Sequence, residues 1–154
     1  MVSQSRNYIR NEGINTAIDT CGAVPFNNIE KVIDYTDVFL YDLKAIDEDV
    51  HIRCTGNTNK LVLENLKKID DAGKKIEIRV PYVPGFNDNQ ISKMAEFISK
   101  LKNVTKVRVL AYHDFARSKY DSLHMEDTMP PDKPEEEQLA AAKEIFKAKG
   151  ILCE

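Results

Sequence analysis

Apolar runs and amphipathic stretches alternate along the chain. Runs rich in β-branched and aromatic residues predict strands at residues 14–20, 38–43, 75–80 and 107–111, with a short one at 151–153. Apolar residues three and four positions apart predict helices at about residues 3–11, 27–33, 59–73, 88–101 and 134–150. Such regular alternation is typical of βα units, which predicts a parallel sheet.

The predicted fold class is therefore α/β. The sequence has no Gly-rich dinucleotide-binding fingerprint, so the pattern favours part of a TIM-like β/α barrel over a doubly wound nucleotide fold. We expect about four parallel strands with flanking helices. So few strands cannot close a barrel, so the sheet is either open or completed by strands outside this chain.

The run from Val38 to Leu43 ends unusually for a buried strand. Its apolar start predicts burial on both faces, yet it finishes in two charges, Asp42 and Lys44. Strand side chains alternate, so Leu40, Asp42 and Lys44 are predicted to share one face of the sheet. In β/α folds function lies at the C-terminal strand ends, which makes both charges candidate site residues.

The other predicted strands end in Asp19, Arg79 and His113. Counting back by two places Asp19 with Ala17 and His113 with Ala111, so we expect all the strand-end charges to line one pocket. Each residue also has a structural interpretation as a helix cap, an ion pair or a hydrogen-bonded loop histidine. Together, two carboxylates, two cations and an imidazole suit a small zwitterionic ligand or a bound cation.

Composition narrows the class of protein. At 154 residues the chain has the length of one domain, and 22 basic against 25 acidic residues give a net charge of −3 with no basic patch, so no nucleic-acid partner is predicted. The sequence shows neither a membrane-spanning run nor a signal-peptide pattern, so we expect a cytoplasmic protein without a membrane partner. Its three cysteines are too far apart for a cluster signature.

Four motifs carry a family resemblance. They are Asp19-Thr20-Cys21-Gly22, Tyr41-Asp42-Leu43-Lys44, the segment from Arg79 to Asp88, and Ala111-Tyr112-His113. In this order and spacing they resemble the C-terminal two-thirds of the glycyl-radical-enzyme activating enzymes. These are pyruvate formate-lyase activating enzyme-like proteins of the radical S-adenosylmethionine (SAM) superfamily.

The resemblance implies an incomplete (β/α)6 barrel that binds a [4Fe–4S] cluster and SAM. Such an oxidoreductase of anaerobic metabolism abstracts hydrogen from a glycine of a partner, a glycyl radical enzyme such as pyruvate formate-lyase, and takes electrons from a flavodoxin or ferredoxin. By position, the contacts to SAM match Asp42, Lys44, Arg79, Pro81 and His113. A monovalent-cation site matches Asp19, Thr20, Asp42 and the carbonyl of Leu40. No catalytic residue and no iron–sulfur ligand is matched in this chain.

The sequence departs from the family pattern in one large respect. The family's Cys-x3-Cys-x2-Cys loop and the Gly-Gly-Glu strand after it are not present. We therefore expect residues 1–154 to be a truncated barrel domain, a fragment without the first two strands and the cluster loop, and inactive by itself. The strand at 14–20 is then expected to expose an unpaired edge, which favours a homodimer or coverage by the N-terminal helix.

Two other functions stay open. Lys44 is a candidate Schiff-base nucleophile of a lyase or aldolase barrel, although the neighbouring Asp42 favours a charged lysine. Alternatively, the chain is a non-catalytic module that docks a glycyl radical enzyme. The target enzyme is not indicated by the sequence.

Overall fold

The chain is built around one parallel sheet. The computed structural model describes residues 12–115 and 117–154, without the side chains of residues 119 and 121. Four strands lie side by side in the order β1-β2-β3-β4, and all three pairings are parallel. Their bounds are Ala17–Thr20 for β1, Val38–Asp42 for β2, Lys75–Tyr82 for β3 and Val104–Ala111 for β4. The predicted α/β class with about four parallel strands is confirmed.

Six α-helices and one 3-10 turn are found in the described residues. The helices are α1 Phe26–Ile33, α2 Glu48–Thr55, α3 Lys60–Asp71, α4 Ile91–Ile98, α5 Arg117–Ser122 and α6 Glu136–Ala148, and the 3-10 turn is Asp88–Gln90. Within the described residues no helix is long and apolar enough to span a lipid bilayer.

The core lies on one face of the sheet. Phe39, Ile78 and Val107 project into it from three strands, and Leu66 of α3 and Phe146 of α6 cover them; all five are fully buried. Burying a side chain of this size stabilises the fold by about 2 kcal/mol. The apolar alternation along each strand therefore decides which face the helices cover.

The opposite face of the sheet is open. In β2, Phe39 and Tyr41 are completely buried, whereas Leu40 and Asp42 are only half-buried. The prediction that the run from Val38 to Leu43 is buried on both faces was therefore wrong for this chain. Its residues alternate with a period of two because helices cover one side only.

Local structure differs from the sequence prediction in three places. Helix α2 is absent from the predicted helices, because only Val50 and His51 of its residues are buried and its apolar periodicity is weak. Helix α5 is absent from them as well. The final predicted strand is a single parallel bridge between Val107 and Cys153. The helix predicted at 3–11 lies outside the described residues.

Candidate functional site

Strand register brings the candidate charges to one edge of the open face. Asp42 pairs with Arg79 across β2 and β3, and Asp19 pairs with Leu40 across β1 and β2. These residues alternate with buried neighbours such as Tyr41, so their side chains leave the sheet on the side without helices. The C-terminal ends of three adjacent strands thus meet in one polar area.

Arg79 is the centre of this charged group. Its Nε donates to Asp42 Oδ1 at 2.9 Å, and its Nη1 donates to Asp19 Oδ2 at 2.8 Å. The second terminal nitrogen, Nη2, bonds the other oxygen of Asp19 as well. Lys44 Nζ lies 3.3 Å from Asp42 Oδ2, on the opposite side of that carboxylate. Four strand-end residues thus form a row of alternating charge: Asp19, Arg79, Asp42 and Lys44.

Asp19 and Arg79, at one end of this row, differ in how far their side chains are exposed. Hydrogen bonds from Arg79 hold the pKa of the Asp19 carboxyl below its usual value of 3.8, and the same bonds raise the pKa of Arg79. The Asp19 side chain is 63% exposed, against 21% for Arg79. Water screens an ion pair at such an exposed carboxylate, so this pair contributes modestly to stability and mainly holds the guanidinium in place.

A side chain of the protein, Arg79, occupies the place between Asp19 and Asp42 where a cation was expected. The Arg79 guanidinium already bridges the two carboxylates. Thr20 is the register partner of Tyr41, which is in the core, so it lies on the face opposite Asp19; its Oγ1 accepts a hydrogen bond from Gly22 N at 2.9 Å. In this arrangement these residues do not form a cation cage.

Pro81 and His113 are placed differently from one another. Pro81 pairs with Leu110 on the open face, so it lies on the same side of the sheet as Arg79. His113 is exposed beyond the end of β4, where its ring stacks on Phe115 with centroids 4.3 Å apart. Ala111 pairs with Tyr82, a core residue. Counting back from His113 to Ala111 therefore gave the wrong face, because His113 lies beyond the end of β4 whereas Ala111 is in phase with the buried Val107 and Val109.

A buried contact anchors the loop that follows β1, and sequence reasoning missed it. Asn65 of α3 donates through Nδ2 to the carbonyls of Gly22 and Val24, both at 2.7 Å, while its Oδ1 is buried without a partner among the described residues. Tyr41 Oη donates to Val62 O at 2.7 Å, and burial raises the pKa of this phenol. The loop after Asp19 is thereby fixed against α3.

Two buried amide side chains hold the loop after β2. Asn59 Nδ2 donates to the carbonyls of Ala45 and Ile46, at 3.3 and 2.7 Å. Gln90 Oε1 accepts from the backbone N–H groups of Ile46 and Asp47, at 3.3 and 3.0 Å. Asn59 begins the helix predicted at residues 59–73, where its side chain is expected to cap the helix, yet it makes no cap hydrogen bond because it is turned toward this loop.

A cavity of about 390 Å³ borders the charged row at Lys44. His51 lines it and is 5% exposed, with Nδ1 2.8 Å from the carbonyl oxygen of Asn57, so Nδ1 carries a proton and donates. The complete lining is Cys21, Ala23, Lys44, His51, Thr55, Asn57, Thr58, Leu61 and Val62. No carboxylate is among these residues, so the concave surface next to Lys44 suits neutral or anionic groups.

Comparison with known proteins decides the family. A sequence model described as "Radical SAM superfamily" matches residues 2–98. The chain belongs to the radical SAM superfamily. It is 40% identical over 150 residues to the trans-4-hydroxy-L-proline dehydratase activating enzyme of Clostridioides difficile, with 94% of this chain aligned to 49% of that protein. It is 32% identical over 156 residues to the pyruvate formate-lyase-activating enzyme of Staphylococcus aureus (strain USA300), with 94% aligned to 61%. This radical SAM chain thus spans about half to three-fifths of these relatives.

Solved structures agree with the radical SAM fold. A domain of the pyruvate-formate lyase-activating enzyme from Bacteroides vulgatus superposes with a TM-score of 0.80 at 25% identity, covering 98% of this chain and 86% of that one. A radical SAM methyltransferase from Sphaerobacter thermophilus gives 0.65 at 16% identity, covering 93% and 41%, and shows the fold alone. The predicted partial TIM-like β/α barrel is therefore confirmed.

The radical SAM family implies SAM and a [4Fe–4S] cluster, and the residues of this chain fit only the first. Cys21 is exposed after β1, Cys54 is in α2, and Cys153 is buried beside β4 at the other edge of the sheet. No group of three metal-binding side chains occurs in the part of the chain that the structure describes. The charged row, by contrast, offers both signs of charge to the amino-acid end of SAM.

Proposed function

We propose that this chain forms the SAM-binding wall of an activating enzyme that generates a glycyl radical on a partner protein. The observation that carries the proposal is the row Asp19–Arg79–Asp42–Lys44 at the strand ends, in a chain whose relatives are named as activating enzymes. When bound, SAM supplies the group that abstracts hydrogen from the partner's glycine. The residues of this chain bind and orient it.

Each charged residue has a distinct task toward the zwitterion. Lys44 has the longest contact in the row, 3.3 Å to Asp42. It can therefore donate to the ligand carboxylate while giving up only a weak ion pair. Asp42 then accepts from the ligand ammonium while Arg79 holds its other oxygen. Pro81 gives an apolar contact on the open face. His113 reaches the ribose side once it leaves its stack on Phe115.

Isothermal titration of the 154-residue chain with SAM tests this proposal. We expect saturable binding, and Lys44→Met weakens it by about tenfold or more, the loss expected for one charge-assisted hydrogen bond. Lys106→Met is the matched control, because Lys106 lies on the same face in ion pairs with Glu77 and Glu154 at 3.6 and 3.1 Å. Equal losses in both variants, or no binding by the wild type, contradict the proposed site.

The partner of the active assembly is a glycyl radical enzyme of the pyruvate formate-lyase type, with a flavodoxin or ferredoxin as electron donor. The names of the two relatives support this class of partner. The positions of the cysteines support the further proposal that this chain by itself forms no cluster and has no radical activity. Stoichiometric iron and sulfide after anaerobic reconstitution, measured chemically, would refute that part.

The monovalent cation requires a rearrangement of the site. It binds Asp19 and Asp42 together with the Leu40 carbonyl after Arg79 withdraws from Asp19, which is exposed enough to allow the exchange. Thermal unfolding in sodium, potassium and choline chloride at equal ionic strength tests it. We expect a higher Tm in one alkali salt, and the difference disappears in Asp19→Asn. Identical Tm values in all three salts argue against the cation.

Strand β1 is an edge strand in the part of the sheet that the structure describes. We propose that this edge pairs with a further strand, either of a second copy or of the polypeptide that carries the cluster. Size-exclusion chromatography with light scattering separates the cases. A dimer that Ala17→Pro converts to monomer supports self-pairing, because Thr16 O accepts from Val38 N of β2 and the next residue, Ala17, therefore turns its N–H to the free edge. A wild-type monomer at all concentrations contradicts it.

A further inference from the structure

Asn87 is a buried polar residue just before the 3-10 turn that follows β3. Its side chain is 2% exposed and makes three hydrogen bonds. Nδ2 donates to the carbonyls of Lys44 and Pro81, at 2.9 and 2.7 Å, and Oδ1 accepts from Val83 N at 2.9 Å. All of its polar atoms are therefore in use, and the orientation of the amide is determined by its contacts.

The two carbonyls that Asn87 binds lie where the pairing of β2 and β3 ends. Leu43 N still donates to Arg79 O at 2.9 Å, beyond the last paired residue, Asp42. Lys44, one residue beyond Leu43, and Pro81, two residues beyond Arg79, are held by the Asn87 amide instead. A single buried side chain thus replaces the missing backbone ladder between two residues that we place at the cofactor.

We propose that Asn87 is a positioning residue for SAM, which fixes the backbone of Lys44 relative to that of Pro81, so that both side chains start from set positions beside the cofactor. This inference rests on the proposed function, since both residues are assigned to the cofactor there. Residues that orient the ligands of a metal site typically change metal affinity by about 10- to 100-fold when removed, and we expect an effect at the lower end of this range for a residue that orients contacts to SAM. Asn87 does so without touching the ligand, because its amide acts through two backbone carbonyls.

The chain offers a matched control. Asn59 is equally buried, at 3%, and also donates through Nδ2 to two carbonyls, but these belong to Ala45 and Ile46 in the next part of the same loop. Asn87→Ser removes one hydrogen bond to this loop, at Lys44, and two at the end of β3, whereas Asn59→Ser removes two from the loop alone. Urea unfolding measures the stability that each variant loses, and SAM titration calorimetry measures the affinity.

The expected result distinguishes an effect on SAM affinity from an effect on the stability of the fold. We expect similar losses of stability in the two variants, but a SAM affinity about tenfold lower in Asn87→Ser than in Asn59→Ser. In the wild type, NMR signals of the Asn87 side-chain NH2 shift on titration with SAM while those of Asn59 do not. Equal affinities in the two variants, or an unshifted Asn87 signal at saturating SAM, overturn the inference; the second criterion holds even if Asn87→Ser does not fold.

A readout without SAM distinguishes failure of this inference from failure of the proposed function. Lys44 contacts one oxygen of Asp42 and Arg79 Nε donates to the other, so displacement of Lys44 changes the Arg79 Nε–H signal. We expect that signal to move in Asn87→Ser and to stay in Asn59→Ser. If the wild type binds no SAM, the proposed function fails while this signal still decides the role of Asn87; an unmoved signal in Asn87→Ser refutes it.

Discussion

Replacement of Gly22 by alanine tests the contact that anchors the loop after β1. Gly22 has a φ of +69°, and a Cβ atom added there would lie 1.7 Å from Tyr41 Oη and 2.4 Å from its Cζ. Tyr41 is completely buried and donates to Val62 O at 2.7 Å, so its ring cannot move aside without breaking that hydrogen bond. Either the loop or the tyrosine must shift.

The cost follows from three contributions. An alanine in the left-handed region costs about 1 kcal/mol. A broken buried hydrogen bond at Tyr41 costs about 1–3 kcal/mol, and overpacking of the core costs a similar amount. Because a shift of one group relieves part of the strain on the other, we expect a total of about 4 kcal/mol. That is a large part of the 5–15 kcal/mol typical of a folded domain.

Urea unfolding followed by circular dichroism measures this loss, with Gly56→Ala as the control. Gly56 ends α2 with a φ of +76°, but no atom lies within 4 Å of its added Cβ. The control variant therefore carries the backbone strain alone, about 1 kcal/mol. We expect the free energy of unfolding of Gly22→Ala to fall by about 3 kcal/mol more than that of the control, because of overpacking against Tyr41 and the broken Tyr41 hydrogen bond. Equal losses for the two variants would show that the Tyr41 contact is not restrictive.

Three further predictions follow from other contacts. Arg79→Met raises the pKa of Asp19 toward its usual 3.8, measured by carbon-13 NMR titration of the carboxyl; an unchanged pKa excludes Arg79 as its cause. The Asp19–Arg79 pair stabilises the fold above pH 3.8, and this stability is lost as pH falls through the lower folded-state pKa of Asp19. Over that acidic range we expect the urea midpoint to decline less in Arg79→Met than in the wild type. Leu66→Ala, in the core, costs about 3 kcal/mol in urea unfolding, whereas Leu61→Ala, 41% exposed, costs under about 1 kcal/mol; similar costs contradict the assigned core.

Much of the candidate site follows from local pattern. The alternation along β2 correctly places Asp42 and Lys44 on one face, because successive strand side chains point to opposite sides whatever the rest of the fold does. The order of strands and helices likewise predicts a parallel sheet whose C-terminal ends meet at one edge. Asp19 and Arg79 were therefore expected beside Asp42 before any contact was known.

Contacts between distant segments were beyond sequence reasoning. The error at Ala111 was of another, local kind: the count started from His113, beyond the end of β4, whereas counting from the buried Val107 and Val109 gives the core face. Asn59 and Asn87 look like helix caps by position, but their amides bind the loop after β2. Local propensity cannot distinguish these uses, since both need the same polar side chain near a chain reversal.

The sequence by itself determined the parallel β/α architecture, the charges at the strand ends and the wide spacing of the cysteines, because these depend on order and period along the chain. The tertiary structure decided that Arg79 bridges Asp19 and Asp42 and that Gly22 packs on Tyr41. Such contacts depend on strand register and on which polar groups are buried away from water. Both are determined only when residues far apart in sequence come together.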